Sequence, residues 1–284
     1  MSTDVVQGVR YGLIGGGGLA AVALALLAWR RGLRSVLPRA APAAGPTLLH
    51  ASALMLAFFL LLQFAVQLVV AGYGAKAVSQ AGSHAFHVLH ACDAGVKIGL
   101  SVVMAMMLHR HSGFNFERLR QSPVVLIGAG LLGGFVMTSV VEALLWISQH
   151  LVQLWRPDVP HPDHPILIAL KSSAWGRWGV VQLVLAAVVV APIAEELFFR
   201  GVLLSALRPC FHSGWPAVLI SSLAFGFVHA AAQPQAVLPL TAMGLALVYL
   251  RLRYASLAPC MVLHAYFNAQ NVALVLLCPD LVRS

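Results

Sequence analysis

Charged side chains are scarce in this sequence. Asp, Glu, Lys and Arg make up 10% of its 284 residues, whereas hydrophobic residues make up 60%. Ordinary soluble domains are about one quarter charged. The shortage of charge therefore argues against a soluble protein and favours a membrane protein.

Acidic residues are the rarer sign of charge, with 9 Asp and Glu against 18 Lys and Arg, for a net charge of +9. A basic protein could bind nucleic acid, but these basic residues are not interleaved with aromatics on a polar surface. They cluster in loops between apolar runs, as the positive-inside rule describes for membrane proteins. Nucleic acid is therefore not an expected partner.

Cysteine is also rare, and its four positions form no CxxC pair. The cysteines lie mostly in apolar runs, so the sequence predicts neither a disulfide framework nor a zinc knuckle. They are Cys92, Cys210, Cys260 and Cys278.

Long apolar runs are abundant, and several exceed the roughly 18 residues that mark a bilayer-crossing helix. The first run is followed by Arg30 and Arg31 rather than by a small-residue cleavage site, so we interpret it as a retained helix. The sequence predicts an all-α, polytopic protein with about eight transmembrane helices, near 11–29, 47–72, 84–108, 123–150, 178–205, 214–232, 235–252 and 255–277.

A polar segment at 151–177 divides these runs into two groups of four. It begins with a proline-broken stretch and continues into a short apolar piece that could lie at the membrane interface. The predicted organisation is therefore an N-terminal four-helix region at 1–150, whose role the sequence does not indicate, a loop at 151–177, and a second membrane region at 178–284.

The fifth run contains two adjacent glutamates, in "AVVVAPIAEELFFRGVLLSAL". A charge near the bilayer centre costs about 2.5–3.5 kcal/mol on insertion scales, so each glutamate needs a stabilising partner or a function. Glu196 and Arg200 are four residues apart on one helix face, with the acid nearer the N-terminus. We interpret this pair as a structural salt bridge.

Glu195 lies about 100° around the helix from Glu196 and presents a different face. A carboxylate in an apolar surrounding is suited to general acid or base chemistry, although Glu195 could also be a second structural carboxylate. Pro192, three residues earlier, is expected to bend the helix and open room for water.

Two later runs add polar residues at helical spacing. Phe225 and His229 are four apart, as are His264 and Asn268. Taken singly, each histidine could be a satisfied core residue, and Asn268 could hold neighbouring helices together. Taken together, a carboxylate, two imidazoles and an amide are the groups that hydrolysis needs: a base for water and donors for an oxyanion.

The ordered set Glu195-Glu196-x-x-x-Arg200, Phe225-x-x-x-His229 and His264-x-x-x-Asn268 resembles the three signature motifs of the CPBP family of intramembrane proteases. That family includes the CAAX prenyl endopeptidases and bacterial proteins linked to bacteriocin processing and immunity. The resemblance extends over about residues 178–277 and implies a CAAX-prenyl-protease-like helical core.

The resemblance also implies a role for each motif residue. Glu195 would activate water beside His229, while His264 and Asn268 would stabilise the oxyanion. Glu196 and Arg200 would hold the helix, and Phe225 would pack near the site. Members have been described both as metal-dependent and as metal-free; Glu195, His229 and His264 could bind zinc. No HExxH helix is present, and we favour the metal-free form.

The sequence thus predicts an endopeptidase of the membrane, acting on a membrane-associated peptide or protein. One alternative is a transporter that relays protons through its buried polar groups. Another is a catalytically silent family member acting in binding or immunity. The Ala, Leu, Val and Arg-rich composition favours a multi-pass protein of a bacterial plasma membrane.

Overall fold

A computed structural model describes residues 45–80, 82–111, 121–155, 169–170, 176–230 and 233–277, with residues 12, 15, 16, 19 and 23. Within these residues the regular structure is helical and contains no strand, which confirms the all-α prediction. The predicted span at 11–29 lies mostly outside the described residues. Most of the predicted loop at 151–177 and Cys278 also lie outside them.

Ten α-helices make up most of the described chain. The fifth, sixth and seventh are successive parts of one continuous helical segment. In chain order they are α1 (Leu48–Tyr73), α2 (Ala75–Ser79), α3 (His84–Arg110), α4 (Pro123–Trp155), α5 (Arg177–Leu185), α6 (Ala191–Glu196), α7 (Leu204–Leu207), α8 (Gly214–Phe227), α9 (Val237–Tyr254) and α10 (Ala258–Leu277).

Six helical segments of the described chain are long and apolar enough to cross a membrane. The predicted sixth span, 214–232, differs from the expectation because α8 has 14 residues and ends at Phe227. At a rise of 1.5 Å per residue it is about 21 Å long, short of a hydrocarbon core of about 30 Å. The six spans are Leu48–Tyr73, His84–Arg110, Pro123–Leu154, Arg177–Cys210, Pro234–Tyr254 and Ala258–Leu277.

Apolar side chains cover the outside of these helices. The 18-residue apolar window of α1 has a mean hydropathy of 2.5, yet only 11% of it is buried. Leu56, Phe59 and Phe64 are each more than half exposed. Such continuous apolar surface is unfavourable in water and marks a surface that contacts lipid. The chain is therefore an integral membrane protein.

Short polar and glycine signals set the ends of the first helices. Thr47 caps α1, since its hydroxyl accepts from the N–H of His50 while the His50 ring accepts from the N–H of Thr47. Gly74, at φ 83°, ends α1 in a conformation that side chains with a Cβ rarely adopt. Ser83 caps α3 through the N–H of Phe86, at 3.0 Å.

The described helices form two compact units, and each takes helices from both sides of the predicted boundary at residue 150. The first unit comprises residues 121–155, 208–230 and 233–267, and the second comprises residues 45–80, 82–111, 169–170, 176–207 and 268–277. The predicted domain roles stay predictions.

In the first unit, glycines allow α4 to approach α10 closely. A Cβ at Gly130 would lie 2.6 Å from the Cβ of Val262, and one at Gly134 would lie 2.5 Å from a ring carbon of Tyr266. Two glycines four apart are a known means of close helix contact in membranes. They fix the position of the helix that carries His264.

A second close contact in the first unit joins α8 to α9. A Cβ at Gly226 would lie 2.5 Å from the hydroxyl oxygen of Thr241 and 2.6 Å from the carbonyl oxygen of Val237. Gly226 is one residue from Phe225, so this contact places the predicted Phe225 and His229 motif at the end of α8.

In the second unit, apolar residues from α3, α5 and α10 form a core. Phe86, Leu183, Val272 and Val275 are buried in it with Ala169 and Leu170. A polar contact adds to it, because the Gln182 side-chain amide donates to the carbonyl oxygen of His87 at 2.9 Å.

The α4 contact makes a prediction about Gly130. Replacing Gly130 by Ala should lower the unfolding midpoint by several degrees, since the added methyl meets Val262 and the carbonyl oxygen of Pro259 at 2.8 Å. Gly128→Ala is the matched control because nothing lies within 4 Å of its Cβ position. Thermal unfolding of both variants in detergent checks this, and equal midpoints would contradict it.

Candidate active site

The predicted fifth span is a continuous helical segment in which two π-helical stretches interrupt the α-helical hydrogen bonding. A π-helical segment at Ala186–Val190 precedes α6, and a second at Leu197–Leu203 follows it. π-Helical turns are rare and are frequent at functional sites. α6 carries Pro192, Glu195 and Glu196, so both glutamates lie between the two π segments.

Glu196 and Arg200 form an ion pair in the second unit. The Arg200 Nη1 donates to Glu196 Oε1 at 2.9 Å, and neither side chain has any exposed surface. The Arg200 guanidinium also lies 5.7 Å from the ring centroid of Phe199. The two charges therefore compensate each other within one turn of the helix.

Glu195 differs from its neighbour in exposure. Glu196 is fully buried, whereas Glu195 is half-buried. Because consecutive residues of an α-helix point about 100° apart, the two carboxylates face different surroundings. A half-buried glutamate beside a fully buried ion pair fits the prediction of a reactive group next to a structural one.

Three predicted residues lie together in the first unit. The ring of Phe225, which is fully buried, makes an edge contact with His229 at 5.4 Å between centroids and another with His264 at 5.5 Å. His264 is 3% exposed, and His229 is half-buried. Phe225 thus contacts both histidines and holds each ring by an apolar contact.

His229 lies in the turn after α8, two residues beyond the last helical residue Phe227. Its Nδ1 is 2.9 Å from the carbonyl oxygen of Phe225. A carbonyl oxygen only accepts, so Nδ1 carries the proton. In the neutral ring Nε2 then keeps its lone pair and can accept a proton.

That hydrogen bond is not unusual by itself. His90, His111 and His150 place Nδ1 at 2.8–3.0 Å from the carbonyl oxygen four residues earlier in the same way. His229 differs from these three because its ring shares the buried Phe225 with a second motif histidine.

Asn268, on α10, contacts the π segment in the second unit. Its Nδ2 donates to the carbonyl oxygen of Ala187 at 2.8 Å. This hydrogen bond uses one of the two amide N–H groups of Asn268, and it does not use the other.

The zinc-ligand set predicted as an alternative, Glu195, His229 and His264, draws on both units. Within neither unit do the described residues group three His, Cys, Asp or Glu side chains as metal ligands. His229 and His264 belong to the first unit and Glu195 to the second. No zinc-ligand set is therefore assigned.

The structure brings together some of the residues predicted from motif spacing, and the roles predicted for them stay predictions. The first unit holds Phe225, His229 and His264, and the second holds Glu195, Glu196, Arg200 and Asn268. Sequence reasoning overlooked the Ala187 carbonyl because a backbone atom leaves no residue signature. Pro192 was its available signal, since a proline removes one backbone donor.

The ion pair leads to a stability prediction. Glu196→Gln should lower the unfolding midpoint strongly, because it leaves the Arg200 charge buried without its counterion, a loss of about 3–5 kcal/mol. The double variant Glu196→Gln with Arg200→Met removes both charges and should lose less. Thermal unfolding of single and double variants is the measurement, and a double variant less stable than the single one would contradict the prediction.

Comparisons with known proteins agree with the motif assignment. Residues 177–270, about a third of the chain, match the family described as type II CAAX prenyl endopeptidase Rce1-like. Comparison with curated proteins and with solved structures gave no match. The matched segment contains all three motifs, from Glu195 to Asn268. This match confirms the resemblance: the segment at 177–270 is similar to the Rce1-like, CAAX-protease branch of the CPBP family, whose members are peptidases.

Proposed function

We propose that this protein is an intramembrane endopeptidase that hydrolyses a peptide bond of a membrane-associated peptide or protein. The observation that carries the proposal is the ordered set of three motifs inside the segment that matches a peptidase family. The half-buried Glu195 beside the compensated Glu196 and Arg200 pair supports it.

In the proposed reaction, Glu195 and His229 activate the attacking water. Glu195 takes a proton from water as its oxygen bonds to the carbonyl carbon of the substrate. The Nε2 of His229, whose lone pair is left free by the Nδ1 bond to the Phe225 carbonyl oxygen, orients the water by accepting a hydrogen bond from its second O–H. Phe225 supports the orientation of both histidine rings.

His264 and Asn268 supply the donors for the resulting oxyanion. An N–H of the imidazole and the second amide N–H of Asn268 stabilise the negative oxygen of the tetrahedral intermediate. The C–N bond then breaks, and the proton taken from water passes to the leaving amine. The products are a carboxylic acid, whose proton passes to the amine as the two products ionise, and an amine, and Glu195 returns to its charged state.

The proposed reaction uses no metal ion. The four groups named above provide the base, the proton carrier and the oxyanion donors that hydrolysis needs. We propose that the substrate approaches from the bilayer, which the apolar surface of the helices supports, and that the protein lies in a bacterial plasma membrane.

Activity should depend on Glu195. Glu195→Gln removes the base while keeping size and polarity, so we expect cleavage to fall about 10²- to 10⁴-fold with little change in the unfolding midpoint. The measurement is cleavage of a membrane-peptide library by the protein in vesicles, with His229→Ala in parallel. Glu142→Gln, another glutamate of a predicted span, is the matched control and should cleave normally.

If the wild-type protein cleaves nothing in that library, or if Glu195→Gln cleaves as well as Glu142→Gln, the proposal is wrong. The first result would favour a silent member or a transporter, and a solute-flux assay on the same vesicles would separate these two.

Cleavage should also persist after treatment with a strong zinc chelator. The reason is that the proposed base and oxyanion donors are all side chains of this chain. The rate is measured before and after chelation, then after adding zinc back. A rate that falls with the chelator and returns with zinc would overturn the metal-free mechanism while leaving the peptidase assignment intact.

A further inference from the structure

The Ala187 carbonyl lies at a point where the helix cannot supply its own donor. In an α-helix it would accept from the N–H of Ala191, four residues later. That N–H donates instead to the carbonyl oxygen of Ala186, which is the π-helical pairing. The next donor in this π register is residue 192, and residue 192 is proline, which has no N–H.

Asn268 supplies the donor that Pro192 lacks. Its Nδ2 lies 2.8 Å from the Ala187 carbonyl oxygen, 81 residues apart in the sequence. Pro192 itself is fully buried, so water is not expected to replace the lost donor easily. Ala187 itself is half-buried, in a helical segment apolar enough to cross a membrane, where lipid offers no donor. A carbonyl oxygen left without a donor there costs about 1–3 kcal/mol, so this single bond contributes to stability.

We infer that Asn268 is a positioning residue for Glu195, acting through the Ala187 carbonyl that Pro192 leaves without a helical donor. The bond joins α10 to the π segment immediately before α6, and α6 carries Glu195 eight residues after Ala187. It therefore sets where the turn before α6 lies, and with it the position of the carboxylate. The link to catalysis rests on the proposed function; the hydrogen bond does not.

This role is separate from the proposed oxyanion role and uses a different hydrogen of the same amide. One N–H donates to the Ala187 carbonyl oxygen, and the proposed oxyanion role uses the second. The two roles differ in their dependence on Pro192, because only the anchoring role becomes unnecessary when residue 192 regains an N–H.

A double-mutant cycle between Asn268 and Pro192 tests the inference. Asn268→Leu alone should lower the unfolding midpoint by about 3 °C or more, since Ala187 loses its donor. In the Pro192→Ala background, where residue 192 can donate, the same change should lower it by less than half as much. Pro239→Ala is the matched control, because Pro239 is also fully buried in a helix but lies in the first unit, on α9. It should leave the cost of Asn268→Leu unchanged.

Cleavage by the same variants gives a second measurement. The double variant Asn268→Leu with Pro192→Ala should have a kcat about tenfold higher than that of Asn268→Leu alone. The position of Glu195 is restored in the double variant, while one oxyanion donor stays absent. Pro239→Ala should restore none of it.

Either of two results would overturn the inference: midpoint losses that add without coupling, or a double variant with no gain in kcat over Asn268→Leu where the wild type is active. If the wild type cleaves nothing, the proposed function fails, and the midpoint cycle alone still decides whether Asn268 replaces the missing donor of Pro192.

Discussion

Glu196 and Arg200 lie one helical turn apart, and neither side chain has exposed surface. Their ion pair offsets the cost of placing two charges of this helix in an apolar surrounding. Either charge alone would raise the free energy of inserting the helix into a membrane. Pairing reduces that cost, so the helix can carry a third charge beside the pair. Glu195 is that third charge. This helix of mean hydropathy 2.0 thus holds one acid that is neutralised locally and a second, Glu195, that is half-buried.

The same rule applies to the backbone. In an apolar medium each carbonyl needs a donor from within the protein, so a proline in a membrane helix has consequences for more distant residues. Here the consequence reaches Asn268, whose position in the third motif had suggested only a chemical role. Asn268 has two amide N–H groups. One joins α10 to the π segment through Ala187, and the proposed oxyanion role uses the other.

Sequence spacing predicted the membrane class, seven of the helical segments that the structure describes and the Glu196 to Arg200 pairing, because hydropathy and a four-residue interval are local properties. It did not predict the π segments, since they leave the apolar pattern of "AVVVAPIAEELFFRGVLL" unbroken. It also extended the helix of the second motif through His229, whereas α8 ends at Phe227. Apolar residues continue past that end, so composition alone could not show where helical hydrogen bonding stops.

Close contacts such as those of Gly130 and Gly134 need a partner surface that no single stretch of sequence reveals.

The two π segments change how this helix should be mapped onto a helical wheel. Each shift from four-residue to five-residue pairing inserts about one residue, which turns everything beyond it by about 100° relative to an uninterrupted α-helix. A wheel drawn through Gln182, Glu195 and Leu204 as one helix would therefore assign them to the wrong sides. Spin labels or crosslinkers meant for the lipid-facing side should be chosen separately for α5, α6 and α7, each with its own phase.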